Sequence, residues 1–316
     1  MNETAPVLRV EEAGLFTTIQ DLGRPGRRAA GVPPGGGLDR FALSAANLLV
    51  GSPEGAAVME CALSGPALVA LRSCLVAVTG ADFGASLNGR PMPCWTSVFL
   101  SEGDRLSFRG RRWGARMYVA VAGGLAADRW LGSASTYVLV GLGGVHGRSL
   151  KAGDRLTAAA DASTRPAVAG RELPEPLRPM YSAEPELATI EGPHMLLLSP
   201  QSRRSLFAQR WKVSRDADRM GYRLQGSPLA LQADELVSFG LAMGCVQVPP
   251  GGEPILLMAD HQTAGGYPVV AGVARCDLPL AAQLLPGEFL HFRRETVEGA
   301  QAGWRRLRAG LDALKR

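Results

Sequence analysis

The segment Met258–Pro268 concentrates polar side chains and glycines directly after the apolar run Ile255–Met258. A carboxylate there can act as a general base or hold a cation, and amide and hydroxyl side chains can orient a polar substrate. Two adjacent glycines leave backbone N–H groups accessible to an anion. We therefore predict a ligand site at the end of this strand. Its members are Gln247, at the end of the preceding strand, and Asp260, Gln262, Thr263, Gly265, Gly266 and Tyr267.

A second candidate segment is Thr17–Arg40. A short strand reaches Gln20 and is followed by Arg24 and a glycine-rich loop that ends at Asp39. A helix beginning at Asp39 would add partial positive charge, so the loop can hold a carboxylate or a phosphate. The alternative is a surface loop in which Asp39 only caps the helix and Arg24 pairs with Asp21.

Two arginines in Asp216–Gly226 are candidates for clamping an anion. Arg219 and Arg223 lie four positions apart, and guanidinium groups bind carboxylate and phosphate as a fork. An exposed, ion-paired strand is the alternative interpretation of this segment.

Hydroxyl groups cluster in Gly132–Asp154, where Ser133, Ser135, Thr136 and Tyr137 precede several glycines. Such a turn can bind a polar ligand, and it can equally satisfy its own backbone. The sequence leaves both interpretations open.

Several common functional signatures are absent. The sequence has no Gly-Lys dipeptide and hence no P-loop, and it has no Gly-x-Ser-x-Gly motif. No two of its four histidines share metal-ligand spacing, so we expect no metal site. The absence of a Met-Lys dipeptide predicts no covalently bound biotin.

The composition points to a cytoplasmic protein that does not bind nucleic acid. The net charge of +5 comes from scattered arginines without a basic stripe. The five cysteines lie far apart, which is typical of free thiols in a reducing cytosol. No apolar run is long enough to span a membrane.

Short strands dominate the expected structure, because 39 glycines and 22 prolines favour turns over long helices. Asn88-Gly89 predicts a two-residue hairpin. Asp39 is expected to cap a helix over Arg40–Val50, and Asp277 a short helix over Leu278–Leu285.

Two more helices follow from the sequence pattern. One covers Gln201–Gln209, and the other is a C-terminal amphipathic helix. The apolar stripe of the C-terminal helix is expected to pack on the protein itself, with a partner-docking face as the alternative. Its members are Trp304, Leu307, Leu311 and Leu314.

One weak internal similarity has the form Leu-x-x-Gly-acid-x-Leu. It occurs at Leu100–Phe108, Leu150–Ala158 and Leu284–Phe292. Common β-turn chemistry explains it, and so does a tandem pair of related β units.

A series of motifs runs in order from about residue 10 to residue 293. They are TTIQDLGRPG, NLLVGSPEGAAVME, TGAD, GSASTYVLVGLGG, DRMGYRL, QVPPGGEPI and ADHQTAGGYP. Together they resemble one family, that of the 5-oxoprolinase C subunit or KipA, also described as allophanate hydrolase subunit 2-like and biotin-dependent carboxyltransferase-like. The sequence departs from the family pattern in Gly35–Asp39 and at His261 and Ala264.

The resemblance implies a mainly β fold with a few short helices and tandem cyclophilin-like β-barrel domains. We place an N-terminal barrel-like half at residues 1–157 and a C-terminal cyclophilin-like half at residues 187–295. A Pro-rich linker at 158–186 would join them, and a C-terminal amphipathic helix would occupy 296–316.

The resemblance also implies work as one subunit of an ATP-dependent 5-oxoprolinase, which opens 5-oxoproline to glutamate after phosphorylating its carbonyl. ATP with Mg²⁺ would be shared with a KipI-like B subunit, while a LamB/YcsF-like A subunit would complete the hetero-oligomer. In this hypothesis the catalytic residues are Arg219, Asp260, Gln262 and Thr263. Substrate contacts would come from Gln20, Arg24, Asp39, Arg223, Gln247, Gly265, Gly266 and Tyr267.

Two alternatives remain open at this level. The chain can be a carboxyltransferase-like subunit of a urea carboxylase or allophanate system, with biotin on a separate carrier. It can also be a non-catalytic protein that binds and antagonises a KipI-like partner.

Overall fold

The computed structural model describes residues 5–160, 168–232 and 236–315. Residues 161–167, in the middle of the predicted Pro-rich linker, lie outside this range. The described chain is mainly β with four α-helices, as the sequence predicts. It divides into two compact units, residues 1–24, 35–178 and 309–316 in the first and residues 25–34 and 179–308 in the second. The finer domain boundaries given above stay a prediction.

The first unit consists of two antiparallel sheets around one apolar core. The strands are β1 (Pro6–Glu12), β2 (Phe16–Gln20), β3 (Val58–Ala62), β4 (Ala67–Ala70), β5 (Cys74–Asp82), β6 (Ala85–Leu87), β7 (Arg90–Pro91), β8 (Ser97–Leu100), β9 (Arg105–Phe108), β10 (Trp113–Val121) and β11 (Arg155–Thr157). One sheet has the order β11-β1-β4-β9-β6-β7 and the other β2-β3-β10-β5-β8. Leu8 and Leu68 from the first sheet and Met59, Val78 and Val119 from the second are fully buried in the same core. Alternating inward-facing apolar residues therefore hold the two sheets together.

The second unit contains a closed barrel. Its strands are β12 (Glu186–Glu191), β13 (Trp211–Val213), β14 (Gly221–Gln225), β16 (Cys245–Gln247), β17 (Ile255–Leu257), β19 (Val269–Val273) and β20 (Phe289–Arg294). Closure leaves no open sheet edge within the barrel. A separate two-stranded ribbon pairs β15 (Phe239–Gly240) with β18 (Ala264–Gly265). This ribbon carries the polar segment that the sequence marks as a ligand site.

The helices are α1 (Arg40–Leu49), α2 (Pro200–Ala208), α3 (Leu278–Ala282) and α4 (Val297–Ala313). No helix within the described ranges is long and apolar enough to cross a membrane. The predicted cap of α1 is confirmed, because the Asp39 carboxylate accepts from the Ala42 N–H at 2.9 Å. The predicted side-chain cap of α3 is wrong. Asp277 makes no cap bond and instead accepts from the Ala188 N–H on β12 at 2.8 Å.

The apolar stripe of α4 packs on the protein. Within the second unit, the Arg275 guanidinium lies 4.0 Å from the centre of the Trp304 ring. Leu311 and Leu314 are almost fully buried. The C-terminal half of the stripe is therefore covered while Trp304 and Leu307 are partly buried, which favours the packing interpretation over a partner-docking face.

The recurring Gly-acid pattern corresponds to one kind of turn. Gly103, Gly153 and Gly287 all have positive φ, at +87°, +91° and +94°. The acid that follows each glycine accepts from a backbone N–H three residues earlier: Asp104 from Ser101 at 2.7 Å, Asp154 from Lys151 at 2.8 Å and Glu288 from Leu285 at 2.9 Å. Turn chemistry is therefore sufficient to explain the similarity.

Two glycines in the loop after Ser133 predict different responses to alanine. Gly144 has φ +63°, and an added Cβ would overlap Thr136 Oγ1, whereas Gly141 has φ +68° and nothing within 4 Å. We expect Gly144→Ala to lower the free energy of unfolding by about 3 kcal/mol or more, from both strain and overlap. Gly141→Ala carries only the backbone cost, about 1 kcal/mol. Urea denaturation of both variants measures the difference, and equal losses would contradict the packing of this loop.

Candidate functional site

Asp260 and Arg219 form a largely buried ion pair in the second unit. Asp260 follows β17, and Arg219 lies in the turn before β14. The Arg219 Nε and Nη2 atoms donate to the two carboxylate oxygens at 2.8 and 3.3 Å, and the side chains are only 14% and 10% exposed. The Asp260 N–H also donates to the Arg219 carbonyl at 2.8 Å. This fork-like pair balances the two charges and fixes the carboxylate in one orientation.

Two hydrogen-bonded carboxamides lie in the same unit, one of them directly after His261 in the segment that contains Asp260. Gln247, fully buried at the end of β16, donates through Nε2 to the Tyr267 carbonyl at 3.0 Å. Gln262 donates through Nε2 to Gln247 Oε1 at 3.1 Å. Gln262 itself is exposed. We call the contacts from Tyr267 through Gln247 to Gln262 the amide ladder.

The ribbon holds the backbone beside the ladder. The Leu241 N–H donates to the Thr263 carbonyl at 2.9 Å, and Arg28 Nη1 donates to the Leu241 carbonyl at 2.7 Å. A Cβ at Gly265 would lie 3.1 Å from Leu241 Cδ1 and 3.5 Å from Gln247 Nε2. A Cβ at Gly266 would lie 2.6 Å from the Leu236 carbonyl oxygen. Both positions therefore require little or no side chain.

A cavity of about 650 Å³ opens beside the ladder. Tyr267, which is 46% exposed, contributes to its wall. The other residues that line it are Leu229, Ala230, Leu231, Leu236, Ser238, Val248, Pro250, Gly266 and Pro268. None of these residues carries a charge, so the cavity suits a neutral or weakly polar group.

Not every predicted residue of the second unit joins this cluster. Arg223 is exposed on β14, between the buried Tyr222 and Leu224, so it points away from the barrel interior. His261, by contrast, is fully buried, and its Nδ1 lies 2.6 Å from the Gln262 carbonyl oxygen. Because a carbonyl can only accept, the imidazole must carry its proton on Nδ1.

In the first unit, Asp21 is the centre of a buried hydrogen-bond network. Its carboxylate accepts from the hydroxyls of Ser133 and Ser135, each at 2.6 Å, and from the N–H groups of Ala134 and Gly23, each at 2.7 Å. The hydroxyl cluster that the sequence left open is thus used internally. It fixes the loop that starts at Ser133 to the end of β2.

Gln20 and Arg24 flank this network. Gln20 Nε2 donates to Thr18 Oγ1 at 3.1 Å and to the Thr136 carbonyl at 3.2 Å. Arg24 is 2% exposed and donates to the Ser135 carbonyl. Its guanidinium also lies 5.0 Å from the centre of the Trp130 ring, within cation–π range. Both predicted residues therefore stabilise the same loop.

Asp39 belongs to a second buried cluster of the first unit. Its N–H donates to the Tyr118 hydroxyl at 2.8 Å, and that hydroxyl donates to Glu60 Oε2 at 2.7 Å. Glu60 Oε2 also accepts from the Leu38 N–H at 2.8 Å. Burial, followed by the negative charges of Glu60 and Asp39, holds the pKa of Tyr118 well above its usual value. The phenol therefore stays protonated and works as a fixed hydrogen-bond donor.

The thiols are poor candidates for nucleophiles. Burial raises the pKa of Cys61 to about 12, and burial is also the main cause of a pKa of about 11 for Cys94 and Cys276. These groups are protonated at neutral pH, whereas the thiolate is the reactive form. We therefore assign no nucleophilic role to these thiols.

An apolar surface projects from the loop that Asp21 and Arg24 hold. Val138, Leu139 and Val140 are 43%, 74% and 50% exposed. They form a short 3₁₀ turn that is closed by hydrogen bonds between Tyr137 and Leu142 at 2.8 and 3.3 Å. We call residues 138–140 the apolar turn. Large exposed apolar groups on a rigid support are typical of a protein contact.

Comparison with known proteins identifies the family. Residues 30–294 match the carboxyltransferase domain, subdomain A and B. The chain belongs to this family. It is 37% identical over 297 residues to the C subunit of 5-oxoprolinase from Escherichia coli (strain K12), with 93% of each chain covered. It is 35% identical over 300 residues to the C subunit of 5-oxoprolinase from Haemophilus influenzae, covering 95% of this chain and 94% of that protein.

The fold is also that of a part of a larger protein. The structure of the K. lactis urea amidolyase superposes with a TM-score of 0.92 at 26% identity. The match covers 99% of this chain and 20% of that one, so the chain spans about a fifth of the urea amidolyase.

Sequence reasoning missed three residues of the first unit. Asp21, Glu60 and Tyr118 organise its two polar clusters, yet none was chosen as a site residue. The sequence does contain a signal for Asp21. It is an acid at a strand end, and the hydroxyl run that begins at Ser133 supplies donors that such an acceptor can bind. Glu60 and Tyr118 lie within strands β3 and β10, where the sequence gives no hint that a polar side chain faces another.

Asp21→Asn is expected to destabilise the first unit. The carboxylate accepts four hydrogen bonds, and an amide replaces one acceptor oxygen with a donor that faces N–H and O–H groups. We expect a loss of about 2 to 4 kcal/mol in the free energy of unfolding. Asp128→Asn, at an exposed carboxylate, should change it by less than about 0.5 kcal/mol. Equal urea midpoints for the two variants would contradict the central role of Asp21.

Proposed function

We propose that this chain is the C subunit of an ATP-dependent 5-oxoprolinase, the enzyme that opens 5-oxoproline to glutamate. The observation that carries the proposal is the identity of 37%, across 93% of both chains, to the C subunit of a 5-oxoprolinase. Similarity over whole chains supports a shared role more strongly than the 20% coverage of the urea amidolyase does.

The chemistry requires activation of an unreactive lactam. The carbonyl oxygen takes the terminal phosphoryl group of ATP, and ADP leaves. Water adds to the activated carbon, the C–N bond breaks and the nitrogen is protonated. Hydrolysis of the resulting acyl phosphate by a second water gives glutamate and phosphate. Such a reaction depends on positioning and on stabilisation of developing charge.

In this proposal the second unit positions the lactam. Asp260, held by Arg219, is available to accept a proton from the attacking water, while Gln262 and Thr263 contact the substrate. Exposed Arg223 and the N–H groups at Gly265 and Gly266 would bind anionic groups. For Gln20, Arg24 and Asp39 of the first unit, a substrate contact stays a prediction; in the structure these residues stabilise loops and a helix start.

ATP is a co-substrate in this account, and its metal is not assigned to this chain. Among the described residues, no group of three or more His, Cys, Asp and Glu side chains could hold a metal ion. We therefore propose that Mg²⁺ would be held by the ATP phosphates and the partner subunit. The roles proposed for residues of this chain are confined to binding, orientation and proton transfer.

Two partners are proposed, a KipI-like B subunit together with a LamB/YcsF-like A subunit. The names of the relatives support the existence of partner subunits. The apolar turn supports a contact with the B subunit, because its exposed aliphatic side chains lie on a loop held by buried hydrogen bonds from Gln20 and Arg24 and to Asp21.

A carboxyltransferase role is the second candidate. The family description and the urea amidolyase match favour it. A reconstituted complex that transfers a carboxyl group from a separate biotin carrier, without consuming 5-oxoproline, would favour this role over the first.

Asp260→Asn should inactivate the complex. Loss of the proton-accepting carboxylate is expected to lower ATP hydrolysis that depends on 5-oxoproline by about 100-fold or more. The matched control is Glu191→Gln, which alters an exposed ion pair of the same unit. The measurement is phosphate release by the purified complex with and without 5-oxoproline. If the Asp260→Asn complex released phosphate in response to 5-oxoproline as fast as wild type does, Asp260 would have no part in the mechanism.

Leu139→Asp tests the partner contact. A charge on the apolar turn is expected to abolish co-purification with the B subunit, because an unpaired charge would be buried at the interface. Leu196→Asp is the control, since Leu196 is 77% exposed and belongs to the second unit. Retention of the complex by Leu139→Asp, measured by size-exclusion chromatography, would show that the contact lies elsewhere.

A further inference from the structure

The orientation of the Gln262 carboxamide follows from its neighbours. The Tyr267 carbonyl can only accept, so Gln247 must direct Nε2 toward it and Oε1 toward Gln262. Gln262 must then direct its own Nε2 toward Gln247. The ladder therefore determines where Gln262 Oε1 lies, although the two ends of a carboxamide have nearly the same shape.

The ladder is held at two points. Gln247 is fully buried, and the backbone of Gln262 is held by the His261 imidazole, which donates through Nδ1 to the Gln262 backbone carbonyl at 2.6 Å. Gly265 lies against the two carboxamides, since a Cβ there would be in contact with both, 3.5 Å from Gln247 Nε2 and 3.7 Å from Gln262 Nε2. Gln262 is exposed, and within the described ranges its side chain has no hydrogen bond other than that to Gln247.

We propose that the amide ladder makes Gln262 Oε1 a fixed acceptor for an amide N–H of the ligand. This inference rests on the proposed function and specifies which group of the substrate the site recognises. The group recognised is an uncharged amide with an N–H, such as the lactam ring of 5-oxoproline. Gln262 contacts the substrate, and Gln247 is a positioning residue that acts through it.

Such a contact would also assist the reaction. An acceptor on the lactam N–H increases electron density on the carbonyl oxygen, which is the atom that attacks the terminal phosphorus. A carboxamide oxygen does this without adding a negative charge beside the phosphates. The uncharged cavity wall next to the ladder is consistent with a neutral ring.

The test compares 5-oxoproline with its lactone analogue, in which a ring oxygen replaces the N–H. The full complex is used, and ligand binding is measured by saturation-transfer NMR alongside ATP turnover. Wild type should bind the lactam about 5- to 10-fold more tightly than the lactone, as expected for one hydrogen bond. Gln262→Met should reduce this preference to about 1.

Two further variants distinguish recognition from stability. Gln247→Met should lower the lactam preference about as much as Gln262→Met, because Gln262 then loses its fixed orientation. Gln225→Met, at an exposed glutamine on β14, should leave the preference unchanged. A purely structural role for the ladder would weaken both ligands equally and leave their ratio intact.

The outcomes separate this inference from the proposed function. The wild-type complex could fail to turn over 5-oxoproline and still bind the lactam selectively, with the selectivity lost in Gln262→Met. That result would reject the proposed function and support the recognition of the amide N–H by Gln262. Equal binding of lactam and lactone by wild type, or a lactam preference that survives in Gln262→Met, would overturn the inference.

Discussion

The buried carboxamide of Gln247 can satisfy its neighbours in only one orientation, and the candidate site in the second unit depends on that constraint. A side chain with no exposed surface must direct its donor toward the Tyr267 carbonyl, because an amide oxygen there would face another acceptor. Because Gln247 then directs Oε1 toward Gln262, the exposed Gln262 must direct its own Nε2 toward Gln247. A polar group in the barrel thus determines the chemistry that an exposed residue presents.

Asp21 applies the same principle in the first unit. Its carboxylate accepts hydrogen bonds from a loop more than one hundred positions away in sequence, and this loop presents the apolar turn. Fully satisfied buried polar networks make loops rigid. In both units a loop held by buried hydrogen bonds presents the groups that we assign to function, a carboxamide oxygen in one and aliphatic side chains in the other.

Local sequence signals predicted the features whose causes are local. The Asn88-Gly89 hairpin forms between β6 and β7, with φ of +51° and +79°, and Asp39 caps α1. Asp277 shows the limit, because Ala188 lies 89 positions away and competes for its carboxylate. The pairing of Asp260 with Arg219, and of Asp21 with the serines, likewise depends on which strands meet. Residue types indicated which segments are polar, but only the fold shows which side chains bind each other.

The most direct measurement is a crystal structure of the reconstituted complex with 5-oxoproline bound. The account predicts the lactam nitrogen within hydrogen-bond distance of Gln262 Oε1, with Gln247 still bonded to the Tyr267 carbonyl. A lactam whose N–H bonds elsewhere, or a Gln262 that has turned away from Gln247, would contradict it.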